Sequence, residues 1–187
     1  MTYRKYSDFL KDKFGEKVYK LPVKLDLTCP NRDGTCGFGG CIFCGEEGGS
    51  FENSEGTVRE QLLKNMDHIR KKYKAKKFIA YFQNFTNTYM PFDDFKRVIE
   101  ESLIEDVVGL SISTRPDYLP KAHLDYLEEL SKNYFVTLEI GLQTPNYHSL
   151  KKLNRGHRLA EFIDAALKTK KKKFKCLHSH NHWLTMG

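Results

Sequence analysis

The chain has 187 residues, a formal charge of +7 from 31 Lys plus Arg against 24 Asp plus Glu, and 40% hydrophobic residues. That composition supports one cored domain and excludes a spanning helix, since no apolar run approaches about 18 residues. The N-terminal MTYRKYSDFLKDKFG mixes charge with aromatics and is unlike an export signal, so the expectation is a soluble, cytoplasmic protein with no membrane partner.

In chain order, residues 1–20 read as an N-terminal extension and VKLDLT (23–28) as a strand running into Cys29. A glycine-rich loop follows, LTCPNRDGTCGFGGCIFC, carrying Cys29, Cys36, Cys41 and Cys44. Cys29, Cys41 and Cys44 can hold three irons of a cubane cluster and leave the fourth open for a ligand. Phe43, just before the last thiol, can shield it. With Cys36 added, the same segment suits a structural tetrahedral zinc site, and soft thiolates admit either metal. Disulfides are not expected, because five cysteines without an export signal point to a reducing compartment.

Beyond the loop, residues 57–74 place Leu62, Leu63, Met66, Ile69 and Tyr73 on one helical face. KFIAYFQ (77–83) reads as a buried strand, and Pro91, Asp93 and Asp94 open a helix with Phe95, Val98, Ile99 and Leu103. VVGLSIS (107–113) is a third strand, Leu124, Leu127 and Leu130 mark a third helix, and YFVTLEIGLQT (134–144) is a fourth strand. Two helical stretches then run through Leu167. This alternation predicts βαβ units and an α/β fold with a parallel sheet. Polar residues after successive strands, Gln83 and Asn84, Ser113 to Arg115, and Glu139 with Gln143, gather at the C-terminal rim together with Cys29. The basic surplus suits a polyanion such as RNA, though lysines 71–77 and 168–175 are equally solvated helix ends.

The motifs TCPNRDGT-CGFGGCIFC (28–44), YFQNFTNTY (81–89), STRPDYL (113–119), LEIGLQT (138–144) and NRGH (154–157) together resemble the radical S-adenosylmethionine (radical SAM) superfamily. Within it they resemble the YhcC/YtqA group, which is similar to the catalytic radical domain of the Elongator complex. The resemblance implies a partial (βα) radical SAM barrel over residues 21–169, with parallel strands and without its last βα units. It implies that Cys29, Cys41 and Cys44 ligate a [4Fe–4S] cluster and that Cys36 does not. S-adenosylmethionine would meet Phe43, Gln83, Asn84, Ser113, Glu139, Gln143 and Arg155. It would be cleaved to methionine and a 5′-deoxyadenosyl radical with an electron from a reductant such as flavodoxin or ferredoxin. By the same resemblance the substrate is a tRNA wobble uridine, its C5 side chain converted from carboxymethylaminomethyl to aminomethyl. Zinc-stabilised RNA binding and a radical enzyme for a non-tRNA substrate are the alternatives.

Residues 170–187, within TKKKKFKCLHSHNHWLTMG from Thr169 onward, show no apolar period. His178, His180 and His182 suggest a metal array, but the genetic code suggests a slipped frame. Read one base later, His178, His180, Asn181 and His182 each become Ile or Thr under any codon choice, Trp183 becomes Gly, and Met186 becomes Trp. The expectation is an aberrant tail, out of frame from about residue 170, on a chain whose activity as a fragment is in question.

Overall fold

The computed structural model describes residues 5–46, 55–172 and 174–180. Five strands, β1 (Val18–Val23), β2 (Lys77–Phe82), β3 (Val107–Thr114), β4 (Phe135–Gln143) and β5 (Lys175–His180), form one sheet in the order β1-β2-β3-β4-β5. Every adjacent pair is parallel. The crossovers are α2 (Val58–Tyr73), α3 (Phe92–Ser102), α4 (Lys121–Leu130) and the pair α5 (Tyr147–Lys152) and α6 (Leu159–Lys170), with α1 (Tyr6–Phe14) preceding the sheet. A strand order that never reverses is the winding of a βα barrel rather than of a doubly wound sheet. The fold is a partial parallel βα barrel, as the sequence led us to expect.

The strands' two-residue alternation separates an apolar face from a polar one. Leu21, Val23, Phe78, Phe82, Leu110, Ile112, Val136, Leu138 and Ile140 pack in one core with Leu62 and Met66 of α2, Phe95 and Ile99 of α3, and Leu127 of α4. The alternate positions, Lys20, Tyr81, Ser111, Ser113 and Glu139, form the opposite, polar face. At its N-terminal end that face is closed by α1, whose Leu10 packs against Ile79 and Phe135. Gly109 is required there, because a Cβ would lie 2.3 Å from the Phe135 carbonyl.

Two boundaries differ from the sequence reading. The first strand ends at Val23 rather than beginning there. Beyond it, side-chain amides replace the strand ladder: Gln61 serves the Lys24 N–H and C=O (both 2.9 Å), and Asn84 serves those of Leu25 (3.3 and 2.7 Å). The N-terminal extension read over residues 1–20 contains α1 and the first half of β1; α1 is stopped by Gly15 in the left-handed region (φ 77°), whose N–H caps Lys11 at 2.8 Å. In the stretch read as aberrant, Lys175–His180 lies parallel to β4, while residues 181–187, His182 among them, fall outside the described residues.

Candidate active site

A cavity of about 280 Å³ opens at the C-terminal ends of the strands. Nine of the ten residues singled out above line it: Cys29, Cys41, Phe43, Cys44, Gln83, Ser113, Glu139, Gln143 and Arg155. Asn84 stands apart. It is wholly buried with its amide spent on the Leu25 backbone, so it ends β1 rather than facing the cavity.

The cysteine loop is shaped by contacts to the segment after α5. Asn154 donates to the carbonyls of Phe38 and Gly40 (both 2.8 Å), Asn31 donates to the Asn154 carbonyl at 2.5 Å, and the Ile42 N–H reaches Leu153 O at 3.1 Å. Arg32 grips the loop's far end through the carbonyls of Cys44 (3.2 Å) and Gly45 (2.6 Å). Gly40 fits only as glycine: its φ is 73°, and a Cβ would sit 2.8 Å from Arg32 Nε. Phe85 and Gln143, both on the cavity wall, also take positive φ (53° and 73°). Left-handed backbone at bulky residues is costly and tends to collect at functional sites.

Hydrogen-bond donors surround the thiols. Cys41 Sγ receives Asn31 Nδ2 at 3.6 Å and Arg155 Nη1 at 3.5 Å, and Cys29 Sγ lies 3.4 Å from Thr86 Oγ1. Cys44 shares its proton with Cys41. That bond, more than the nearby Arg155 guanidinium, draws the Cys41 thiol down to about 5 and pushes Cys44 up. Such a pair readily yields a thiolate, the form in which cysteine binds metal. Cys36 does not join them. It is exposed, with its thiol toward Tyr118 OH (3.6 Å) and Asp117 Oδ2 (3.9 Å). The donor set at the cavity is therefore three soft thiols, ringed by N–H and O–H groups of the kind that tune iron–sulfur centres. Among the described residues, no three His, Cys, Asp or Glu side chains are disposed to hold a single metal ion.

The same cavity holds an anionic group already engaged. Glu139 is ion-paired with Lys20, accepts from Ser111 Oγ at 2.5 Å and from Tyr81 OH at 3.2 Å. The Lys20 ammonium also sits 4.1 Å from the Tyr81 ring centre. Burial first, and Glu139 second, push the Tyr81 phenol up to about 12. Glu139 can therefore present at most a spare lone pair to a ligand. Arg115, placed at the rim with Ser113 by the sequence, also lines the cavity. Arg32, Tyr81, Phe85 and Thr86 lie inside the motifs quoted above but are not among the residues singled out, and Lys20, the partner of Glu139, lies outside every motif.

Comparison with known proteins fits this geometry. The family model of the radical SAM superfamily matches residues 33–185. The chain is 39% identical over 165 residues to the uncharacterized protein YtqA of Bacillus subtilis, covering 87% of this chain and 51% of that one. It is 38% identical over 169 residues to the uncharacterized protein MJ0486 of Methanocaldococcus jannaschii, covering 87% and 51%, and 38% identical over 151 residues to protein YhcC of Escherichia coli K12, covering 79% and 48%. The chain thus spans about half the length of these relatives. Among solved structures, archaeal Methanocaldococcus infernus Elp3 with an N-terminal deletion shares the fold, with a TM-score of 0.56 at 16% identity over 88% of this chain and 38% of that one. The chain belongs to the radical SAM superfamily, in its YhcC/YtqA-like group.

Proposed function

We propose that this cavity is the catalytic centre of a radical SAM enzyme, in which Cys29, Cys41 and Cys44 hold a [4Fe–4S] cluster. The observation that carries the reading is three thiols on one glycine-rich loop at the mouth of a parallel barrel, with Cys36 turned away. When bound, the cluster supplies the electron that splits the sulfonium of S-adenosylmethionine into methionine and a 5′-deoxyadenosyl radical. The protein's own part is placement. Asn154 and Arg32 hold the loop, and Arg155 anchors Cys41 to the Gly141 carbonyl (3.1 Å from Nη2). Phe43 and Phe85 supply apolar wall to the cavity, while Gln83, Ser113, Gln143 and the Glu139 network offer polar contacts to the cosubstrate.

We further propose that the substrate is a tRNA wobble uridine, its C5 side chain being remodelled from carboxymethylaminomethyl to aminomethyl, with flavodoxin or ferredoxin as reductant in the cytoplasm. Support comes from the family relationship and from the arginines Arg32, Arg115 and Arg155 at the cavity, which suit an anionic substrate. The lysines that dominate the composition contribute little to that argument. Lys71 and Lys72 lie in the last turn of α2, and Lys74 and Lys76 lie between it and β2, at the pole opposite the cavity.

Anaerobic reconstitution with iron and sulfide, followed by S-adenosylmethionine and dithionite, tests the chemistry through 5′-deoxyadenosine. Formation of the nucleoside supports the reading. A reconstituted, reducible protein that forms none would defeat it for this chain.

A further inference from the structure

Arg115 is 1% exposed, yet its Nη1 has no hydrogen-bond partner in the protein. Asp117 grips the other edge of the guanidinium, taking Nε at 2.9 Å and Nη2 at 2.6 Å. A planar fork held along one edge has a fixed plane, so the direction of Nη1 is fixed as well. A buried donor in a native fold ordinarily has an acceptor. Here the described residues supply none.

The surroundings indicate what it is. Arg115 lines the same cavity as Cys29, Cys41 and Cys44. It is packed beneath the loop that carries them: a Cβ on Gly156 would lie 3.0 Å from Arg115 Nη2, 2.8 Å from Asn31 Oδ1 and 3.3 Å from Cys36 Cβ. Asn31, Arg155 and Thr86 already reach the sulfurs of Cys41 and Cys29. Arg115 lines the cavity beside these donors, and its Nη1 is left without a protein acceptor.

We propose that Arg115, braced by Asp117, donates its free Nη1–H to the iron–sulfur core held by Cys29, Cys41 and Cys44, and so raises that core's reduction potential. This rests on the cluster reading above. A cationic donor beside an inorganic sulfide or a cysteine sulfur stabilises the more negative, reduced state, as hydrogen bonds to cluster sulfurs do generally. Asp117 positions the donor without contacting the core.

The test is an EPR-monitored redox titration of reconstituted wild type and Arg115→Met, first without S-adenosylmethionine. The expected result is a roughly tenfold lower ratio of reduced to oxidised cluster in the variant at a fixed poise, about 59 mV for a one-electron couple. Should Arg115→Met hold no iron, Arg115→Gln, which fills the space with a neutral donor, is read by the same criterion. An unchanged potential overturns the proposal. If it is unchanged while the spectral response to S-adenosylmethionine is lost, the acceptor is the cosubstrate's carboxylate instead, and the proposal is again overturned. A wild-type protein that takes up no iron at all removes the cluster reading itself, and this proposal with it.

Discussion

Arg155 donates its Nε–H to His157 Nε2 at 2.7 Å, and His157 in turn lies 3.3 Å from the Arg158 carbonyl through Nδ1. Since Arg155 has no acceptor to offer, the imidazole must be neutral with its proton on Nδ1. Burial first, then the Arg155 charge, pull His157 down from 6.5 to about 4. A neutral His157 keeps Arg155 directed at Cys41.

Stability should consequently depend on pH through this residue. Between about 6.5 and 4 the unfolded chain takes up a proton that the folded chain refuses, so stability falls as pH drops through that window and is fully present above it. The loss is on the order of 3 kcal/mol at most. Denaturant titrations at pH 7.5 and 4.5 check this, with His157→Gln expected to flatten the difference. An equal slope in the variant would assign the acid sensitivity elsewhere.

Asn154 holds the cysteine loop through two 2.8 Å bonds while sitting at φ 51°. Asparagine tolerates that conformation better than most residues. Asn154→Ala loses both bonds and keeps the strain, for an expected cost of about 2 kcal/mol. Asn154→Gly relieves the strain alone. Thermal unfolding should therefore rank wild type above the Gly variant and the Gly variant above Ala. Iron retention on reconstitution should fall in the same order.

If RNA docks at the cavity mouth, its phosphates meet Lys151 and Lys152 at the end of α5 rather than the lysines at the end of α2. Reversing both charges with Glu should lower the slope of log K against log salt by about 1 to 2 units. Reversing Lys71, Lys72 and Lys74 should leave tRNA binding near wild type. The opposite ranking would place the RNA at the other pole.

The strand and helix sequence was legible because its signals are local. The continuous apolar run KFIAYF and the helical spacing of Leu62, Met66, Ile69 and Tyr73 announce themselves within a few residues. The end of β1 was not legible, since Gln61 and Asn84 that terminate it lie 37 and 59 residues away from their partners. The same holds for the site. Motifs marked the cavity rim, but Asn84 belongs to a motif and faces elsewhere. Lys20 belongs to none, and it reaches Glu139 across 119 residues. Only tertiary pairing reveals which polar residue after a strand points inward.

The reading frame after about residue 170 carries its own prediction. His178 takes the strand register opposite Ile140, a fully buried core residue. Ile or Thr, which the shifted frame places there, is what such a strand position ordinarily takes. Sequencing the gene through the lysine codons should show an extra or missing base in an A-rich tract, with a family-like continuation in the alternative frame. An alternative frame that closes at once contradicts this.

The most direct test of the central claim is the iron content of the anaerobically reconstituted protein with each cysteine of the loop replaced in turn by alanine. About four irons per chain are expected in wild type and in Cys36→Ala, and a stable cubane in none of Cys29→Ala, Cys41→Ala and Cys44→Ala. Loss of metal on replacing Cys36 equal to that on replacing the other three, or zinc held in place of iron, would contradict it.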